Sequence, residues 1–566
     1  MWLIRLYLFL IYIQLTYCKA VPKSLTKEEF LAERKEAHWH EQVISAGGDI
    51  HLSPKEQYVD KLLLDLKAAD FEDARLGKKP FLPSLHFFEA KPLIDNSSIF
   101  HIIKDIPKGA VLHIHDTAMV SLDWVVKNVT YRDNLYMCVP ANNNERVEYL
   151  FADRLPNATD QCSWELVRNR RENSTDVEEF DEWLKRQMSL LRDDLASTNP
   201  TQDDIWKQFT SCFSVMNGMV YYPPVVRDYF RRALQEFHDD NVQYIEVRIL
   251  LKETYNLDGT KNDFLYLLEM YRNVSEEFKR DNPTSSGAKV IITGIRNFNN
   301  SVIRTLIKQV TQFRQRFPDF IVGFDLVSQE DRGKPLLYYL DELIAPNAHD
   351  PSTLPYIFHA GETVWQGTVV DENIIDAILL GTKRLGHGFA ISKHPWGLEE
   401  VKKRDIAIEV NPISNQVLGL VKDLRNHPVS FLLAQNYPIV ISPDDPPMWG
   451  AKGLSYDFFE AFMGLTGAKT GLAFLKKMAR NSLEYSSLST EEKKMALDVW
   501  EVKWNTFIDN TVGNVTINVT EPASTSNPTN RNGTNDSATF GLHRTLIFLI
   551  CLLSLNMWSS FVQKPC

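Results

Sequence analysis

From about residue 110 onward, short apolar runs alternate with longer stretches of helical periodicity. The runs cover residues 110–115, 243–249, 289–294, 321–327, 355–359, 383–387, 406–410 and 438–441. Most are apolar at nearly every position rather than at every second one, as expected of strands buried on both faces. Helical patterns such as 303–317 and 372–380 lie between them. Eight strands alternating with helices predict an α/β fold, a (β/α)8 TIM-type barrel. A doubly wound open sheet satisfies the same alternation.

The barrel pattern does not fill the chain. Residues 21–105 are charged and helix-rich, and the spacing of Val59, Leu62, Leu63 and Leu66 suits an amphipathic helix that packs on the body or on a partner chain. The first crossover, from 115 to 243, is too long for one helix, and its polar part at about 128–188 reads as an inserted subdomain. Beyond 510 the composition shifts to Asn, Thr, Ser, Gly and Pro, which suits a flexible stalk over 511–540. The barrel domain is therefore expected over 106–510, and an apolar tail occupies 541–566.

Several features point to export. Arg5, an apolar run over 6–15 and the small residues around Cys18-Lys19-Ala20 match a signal peptide over 1–20; a membrane anchor is the alternative. There are ten Asn-x-Ser/Thr sequons, at Asn96, Asn128, Asn157, Asn173, Asn273, Asn299, Asn514, Asn518, Asn532 and Asn535, a density that suits a glycoprotein. Cys138 and Cys162 bracket a polar, sequon-bearing segment and are placed to pair as a disulfide; two free thiols are the alternative. Cys212 sits in an apolar helical stretch and reads as a core thiol. The tail resembles a glycolipid-anchor signal, with a retained helix or a soluble form as alternatives. These features predict a secreted or extracellular protein, with a lipid anchor or helix as a means of holding it on the cell surface. The net charge of -11 lacks a basic footprint and argues against polymeric nucleic acid as a partner.

The candidate chemistry falls at strand ends. The first run closes on His113-Ile114-His115-Asp116, and residues two apart in a strand face the same side, so both imidazoles are expected inside the barrel. The fifth closes on His359-Ala360-Gly361-Glu362, the sixth on Gly386-His387-Gly388, and the eighth leads into Asp444-Asp445-Pro446. Each motif alone has an ordinary explanation, such as a buried histidine or a turn. Together they occupy the carboxyl ends of predicted strands, where barrel active sites lie. Three imidazoles and a carboxylate suit zinc.

That order of motifs resembles the adenosine deaminases. Longer matches at 323–327, 356–367, 384–395, 411–418, 424–429 and 450–458 resemble the secreted type 2, or adenosine deaminase growth factor, branch. The likeness runs from roughly 25 to 510. It implies one Zn2+ per chain on His113, His115, His359 and Asp444, with the ion acidifying a water that attacks C6 of a purine nucleoside. It implies that Glu362 protonates N1, that His387 orients the water, and that Asp445 holds N7. Asp116, Trp206 and Phe213 match the nucleoside-facing parts of the family. The implied reaction turns adenosine, and 2′-deoxyadenosine, into inosine or its deoxy form and ammonia. Residues 21–105 would serve as a homodimer contact, and the 128–188 insert would meet a cell-surface receptor or glycan.

Two positions depart from the family pattern. Relatives commonly place Gly after Asp325-Leu326-Val327, where a backbone N–H meets the purine; this chain has Ser328. Secreted relatives carry a nucleoside-contacting His after the third strand; an ungapped match puts Ile295 there. Both leave open a nucleoside-binding or growth-signalling protein with weak or no turnover. The complete set of His113, His115, His359, Glu362, His387, Asp444 and Asp445 favours the enzyme.

Overall fold

A computed structural model describes residues 25–140, 146–158, 163–191, 200–347, 350 and 353–520. The expected signal peptide, most of the expected stalk and the apolar tail lie outside the described residues.

Eight parallel strands form the centre. They are β1 (Gly109–Val111), β2 (Val242–Leu250), β3 (Gly287–Ile295), β4 (Ile321–Val327), β5 (Phe358–Ala360), β6 (Arg384–His387), β7 (Ala407–Val410) and β8 (Ile439–Ile441). Strands β1 to β4 pair in sequence as one sheet and β5 to β8 as another. Two parallel bridges join the sheets, Phe324 with Tyr356 and Ile114 with Asp444. At the first seam Phe324 N donates to Pro355 O (2.9 Å); at the second Asp444 N donates to His113 O (3.2 Å). With both seams paired no open edge remains, so the barrel and not the open sheet is formed.

The strands are buried almost throughout. Six charged residues are nevertheless buried in them; Lys289 pairs with Glu492 (2.6 Å), and Glu246, Arg248, Asp325, Arg384 and Glu409 form one cluster. They neutralise one another. Arg384 Nη2 donates to Glu246 and its Nε to Glu409, each at 2.6 Å; Arg248 donates to Asp325 (2.8 Å) and Glu409 (2.7 Å). Buried charges persist only when paired in this way.

The N-terminal region is helical, as the sequence predicts. Ser53 and Glu56 form a capping box at the start of helix Pro54–Arg75. Val59 and Leu63 bury its inner face, and Lys67 Nζ donates to Phe462 O (2.7 Å). Glu56 accepts from Lys476 Nζ (2.6 Å) and Trp504 Nε1 (2.7 Å). The preceding helix, Lys27–Ile44, has no buried residue.

In the long first crossover, strands Glu148–Phe151, Leu135–Cys138 and Trp164–Leu166 form an antiparallel sheet in that spatial order. It packs on helix Gln202–Val220, and a Cβ on Gly218 would meet Tyr149 O at 2.1 Å, so glycine is required there. Cys138 is not a free thiol; Cys162, with which it was expected to pair, lies outside the described residues. Cys212 is buried in that helix, as expected of a core thiol. The last described helix, Thr490–Thr520, continues past the composition change at 510.

Candidate active site

All the site residues singled out from the sequence, the two cysteines apart, gather at the carboxyl ends of the strands. His113 and His115 lie just past β1, where Arg248 N donates to Ile114 O (2.8 Å) and Asp116 N to Arg248 O (3.0 Å). This extended pairing turns both imidazoles to one side. The His113 ring centroid lies 5.5 Å from that of His115, 4.5 Å from His359 and 4.8 Å from His387. Asp444 Oδ1 lies 3.3 Å from His113 Nε2 and 3.2 Å from His115 Nε2.

A second layer orients these groups. His113 Nδ1 donates to Glu409 (2.8 Å), and His359 Nδ1 donates to Asp325 (2.6 Å). Each carboxylate fixes the tautomer, leaving the Nε2 lone pair facing the centre. Ser414 Oγ donates to Asp444 Oδ2 (2.7 Å), which leaves Oδ1 to the cluster. Burial pulls His359 down to about 3, against the pull of Asp325, so its imidazole is neutral. Burial opposes ionisation of Asp444, but His113 and His115 hold its carboxyl well below the usual range.

The donor set suits a divalent cation. Potential ligand atoms of His113, His115 and His359 lie within 4.8 Å of one another, as do those of His113, His387 and Asp444. His113 Nε2 and Asp444 Oδ1 are buried with no hydrogen-bond partner. Orphaned buried polar atoms are costly, and a shared cation would satisfy both. Three imidazoles and a carboxylate fit zinc.

Glu362 and His387 face this cluster, with Glu362 Oε1 3.6 Å from His387 Nε2. Glu362 follows Gly361, whose φ of 84° needs glycine, and Glu330 accepts from the N–H groups of both residues (3.2 Å each). Burial, then Asp444 and Glu330, push Glu362 well above the ordinary glutamate range. Burial and the Asp444 carboxylate do the same to Asp445. His387 is kept neutral chiefly by burial, aided by His113. Asn415 Nδ2 and Asn411 Nδ2 approach its Nδ1 at 3.1 and 3.3 Å. Two amide donors require a lone pair on Nδ1, so the proton sits on Nε2 and points at Glu362.

A cavity of about 330 Å³ opens from this centre. Trp206, Phe209 and Phe213 of helix Gln202–Val220 line it with edge-to-face rings. Asp116, Ser328, Asp445 and Ile295 line it as well, so both departures from the family pattern face the cavity. Burial pushes Asp116 up to about 7, against Lys252 and the Tyr221 and Tyr271 hydroxyls. Ser328 has φ 93°, in the region that favours glycine.

The sequence reading missed Asp325, Glu330, Glu409, Asn415 and His427, all buried behind the site. For Asp325 and Glu409 a signal was present, a charge inside an otherwise apolar strand. Tyr221 and Lys252 also line the cavity without having been singled out.

A closed parallel barrel with imidazoles and carboxylates caged at its strand ends defines a metal-dependent barrel hydrolase. A family profile described as adenosine deaminase matches residues 187–502, and one described as adenosine/AMP deaminase N-terminal matches 8–103. Adenosine deaminase 2-A of Danio rerio is 45% identical over 82% of this chain and 90% of its own. Adenosine deaminase 2 of Homo sapiens is 43% identical over 83% and 91%. An amidohydrolase from Burkholderia ambifaria, solved with bound Zn, shares the fold at 15% identity, with a TM-score of 0.50 over 74% of this chain and 96% of that one. The chain belongs to the adenosine deaminase family.

Proposed function

We propose that this chain is an extracellular, zinc-dependent adenosine deaminase that also accepts 2′-deoxyadenosine. The observation that carries the reading is the Glu362–His387 pair, 3.6 Å apart over the Asp444 carboxylate. One group is placed to give a proton and the other to donate a hydrogen bond.

His113, His115, His359 and Asp444 would hold one zinc ion per chain. Bound zinc supplies the charge that makes water a nucleophile near neutral pH. The residues do the rest. Glu362, held in its acid form, gives its proton to N1 and draws electrons from C6. His387 donates its Nε2–H to the incoming oxygen. Asp445, also held as the acid, donates to N7. Trp206 and Phe213 exclude water from the nucleoside, Asp116 faces the sugar end, and the Ser328 backbone N–H faces the purine. Oxygen from water replaces the C6 amino group; ammonia leaves and inosine remains.

Export is supported by the six sequon asparagines from Asn96 to Asn299, all exposed. The Cys138–Cys162 disulfide belongs to the same reading, as do the signal peptide, the glycosylated stalk and a C-terminal lipid anchor or helix. Exposed Phe30, Leu31 and Trp39 on helix Lys27–Ile44 suit a homodimer contact within 21–105. The 128–188 insert is the candidate surface for a receptor or glycan.

The test is adenosine loss by the purified, zinc-loaded protein beside Glu362→Gln. Turnover by the wild type and at least a hundredfold loss in the variant are expected. A folded, zinc-loaded wild type without turnover would favour the nucleoside-binding or growth-signalling alternative that Ser328 and Ile295 leave open.

A further inference from the structure

Strands β2 and β3 end side by side, with Leu250 opposite Thr293 in the ladder. Both residues, with Lys252 and Ile295, line the active-site cavity. The same four residues also line a second cavity of about 450 Å³. This annex shares that wall with the first cavity and lies between the start of helix Phe264–Asp281 and one face of helix Asn300–Arg316. Phe264, Phe298, Val302 and Leu306 make its walls apolar. None of Glu362, His387, Asp444 or Asp445 reaches it.

Among the described residues the annex is lined by a single charged group, Lys252, which it shares with the first cavity. That ammonium lies 5.1 Å from the Tyr221 ring centroid and is drawn toward Asp116. It is thus engaged on the cavity side. Beyond it the annex offers apolar walls and a few hydroxyl and amide groups of Ser301, Thr305 and Gln309 at its rim.

The orientation of a bound purine follows from its chemistry. With Glu362 at N1 and Asp445 at N7, N9 lies at the far end of the base and the sugar points away from the reaction centre. The exocyclic 5′ carbon is the outermost sugar atom. A 5′ substituent that turns toward Leu250, Thr293 and Ile295 would meet the annex. A histidine at position 295 would put a polar ring across that path; isoleucine leaves it apolar.

We infer that the site takes adenine nucleosides bearing an apolar 5′ substituent, of the 5′-deoxy-5′-alkylthio class, with the alkyl group in the annex between Phe264 and Leu306. This rests on the deaminase reading. The reaction is unchanged: oxygen from water replaces the C6 amino group, ammonia leaves, and the thioether is untouched.

The test compares kcat/KM for adenosine with that for 5′-methylthio- and 5′-butylthio-5′-deoxyadenosine. Full-length, zinc-loaded protein is used, as wild type, Ile295→His and Thr305→Trp. Each methylene buried in an apolar annex strengthens binding about fourfold, so KM should fall from the methylthio to the butylthio substrate by at least that factor. Calorimetric binding of the 5′-alkylthioinosine products should show the same trend. Both substitutions should reduce the alkylthio-to-adenosine preference by about tenfold or more, Ile295→His by making the path polar and Thr305→Trp by filling the groove. Turnover of adenosine with no gain from the longer chain, or a preference unmoved in both variants, overturns the annex and leaves the deaminase reading standing. If folded protein turns over none of the three, the deaminase reading fails and this inference with it.

Discussion

Nε2 of His427 lies 2.9 Å from Oδ1 of Asn415, and this contact decides which nitrogen of His387 carries a proton. The Val429 N–H donates to His427 Nδ1 (3.1 Å), so the His427 proton must be on Nε2. Burial pulls His427 down to about 3 and keeps it neutral. Asn415 therefore turns its oxygen to His427 and its NH2 to His387 Nδ1, 3.1 Å away. The His387 Nε2–H is left facing Glu362. Neither His427 nor Asn415 lines the cavity; both are positioning residues that act through His387.

Reversing that relay should cost activity without emptying the site. In Asn415→Asp a carboxylate would pull the proton to His387 Nδ1 and leave a lone pair facing Glu362. Loss of one preorganised donor typically lowers kcat about 10²–10³-fold, and KM should change little. Nitrogen NMR with labelled histidine reads the cause directly. The wild type should show His387 protonated at Nε2, and the variant at Nδ1. An Nδ1-protonated His387 in the wild type would remove the relay from the mechanism.

Ser328 holds φ 93° at the end of β4, in a backbone region where a side chain is strained. It lines the cavity, so the conformation is tied to the site. Ser328→Gly should stabilise the fold by about 1 kcal/mol, since relief of the left-handed conformation exceeds the added chain entropy. For a chain this long that is a rise of roughly 1–2 °C in Tm. Ser328→Val should do the opposite and by more. Thermal unfolding of the three forms settles the ranking; a Gly variant less stable than the wild type would show that the serine side chain supports the fold.

Much of this architecture was legible because buried parallel strands are apolar at nearly every position. All eight runs became barrel strands. The ligand motifs were legible because catalytic groups follow the ends of such strands. What lay behind them was harder to see. Glu409 sits in β7 and Asp325 in β4, and each is explained only by histidine and arginine side chains from other parts of the barrel. Their charge inside an apolar run was a usable sign that something pairs there. His427 offered no such sign, since its partner chain to His387 forms only through tertiary packing. The sheet of the first crossover was hidden because its strands are only three or four residues long, although the length of that crossover announced an insertion.

Glu460 gives the fold a pH dependence separable from the site. It is buried in helix Ser455–Gly464, its Oε2 has no hydrogen-bond partner, and burial pushes its carboxyl up to about 8. The folded form therefore binds a proton that the unfolded chain has lost above about 4.5. Stability is greatest below that value and falls as the pH rises toward 8, with a slope of at most about 1.4 kcal/mol per pH unit. Across the window the loss is on the order of 4 kcal/mol. Glu460→Gln should flatten this part of the curve. Denaturant unfolding of both forms between pH 5 and 8 measures it, and equal slopes would exclude Glu460 as the titrating group.

Glu409 couples the cation site to the stability of the barrel. Its carboxylate accepts from His113, Arg248 and Arg384 at 2.6–2.8 Å. Glu409→Gln keeps the shape but leaves two buried guanidinium groups under-neutralised. Breaking such a network typically costs about 3–5 kcal/mol. The same change frees His113 from the group that aims its Nε2, and loss of an outer partner typically weakens metal binding about 10–100-fold. The two effects are separable. Competition with a chelator measures zinc affinity, and thermal unfolding with and without zinc measures the coupling. For the wild type, zinc at a hundred times its Kd should add about 2.7 kcal/mol, and removal by chelator should lower Tm and abolish turnover together. In Glu409→Gln the unfolding temperature should fall even without zinc, and far more zinc should be needed for the same gain. Wild-type zinc affinity in a destabilised Glu409→Gln would confine Glu409 to the barrel core and detach it from the site.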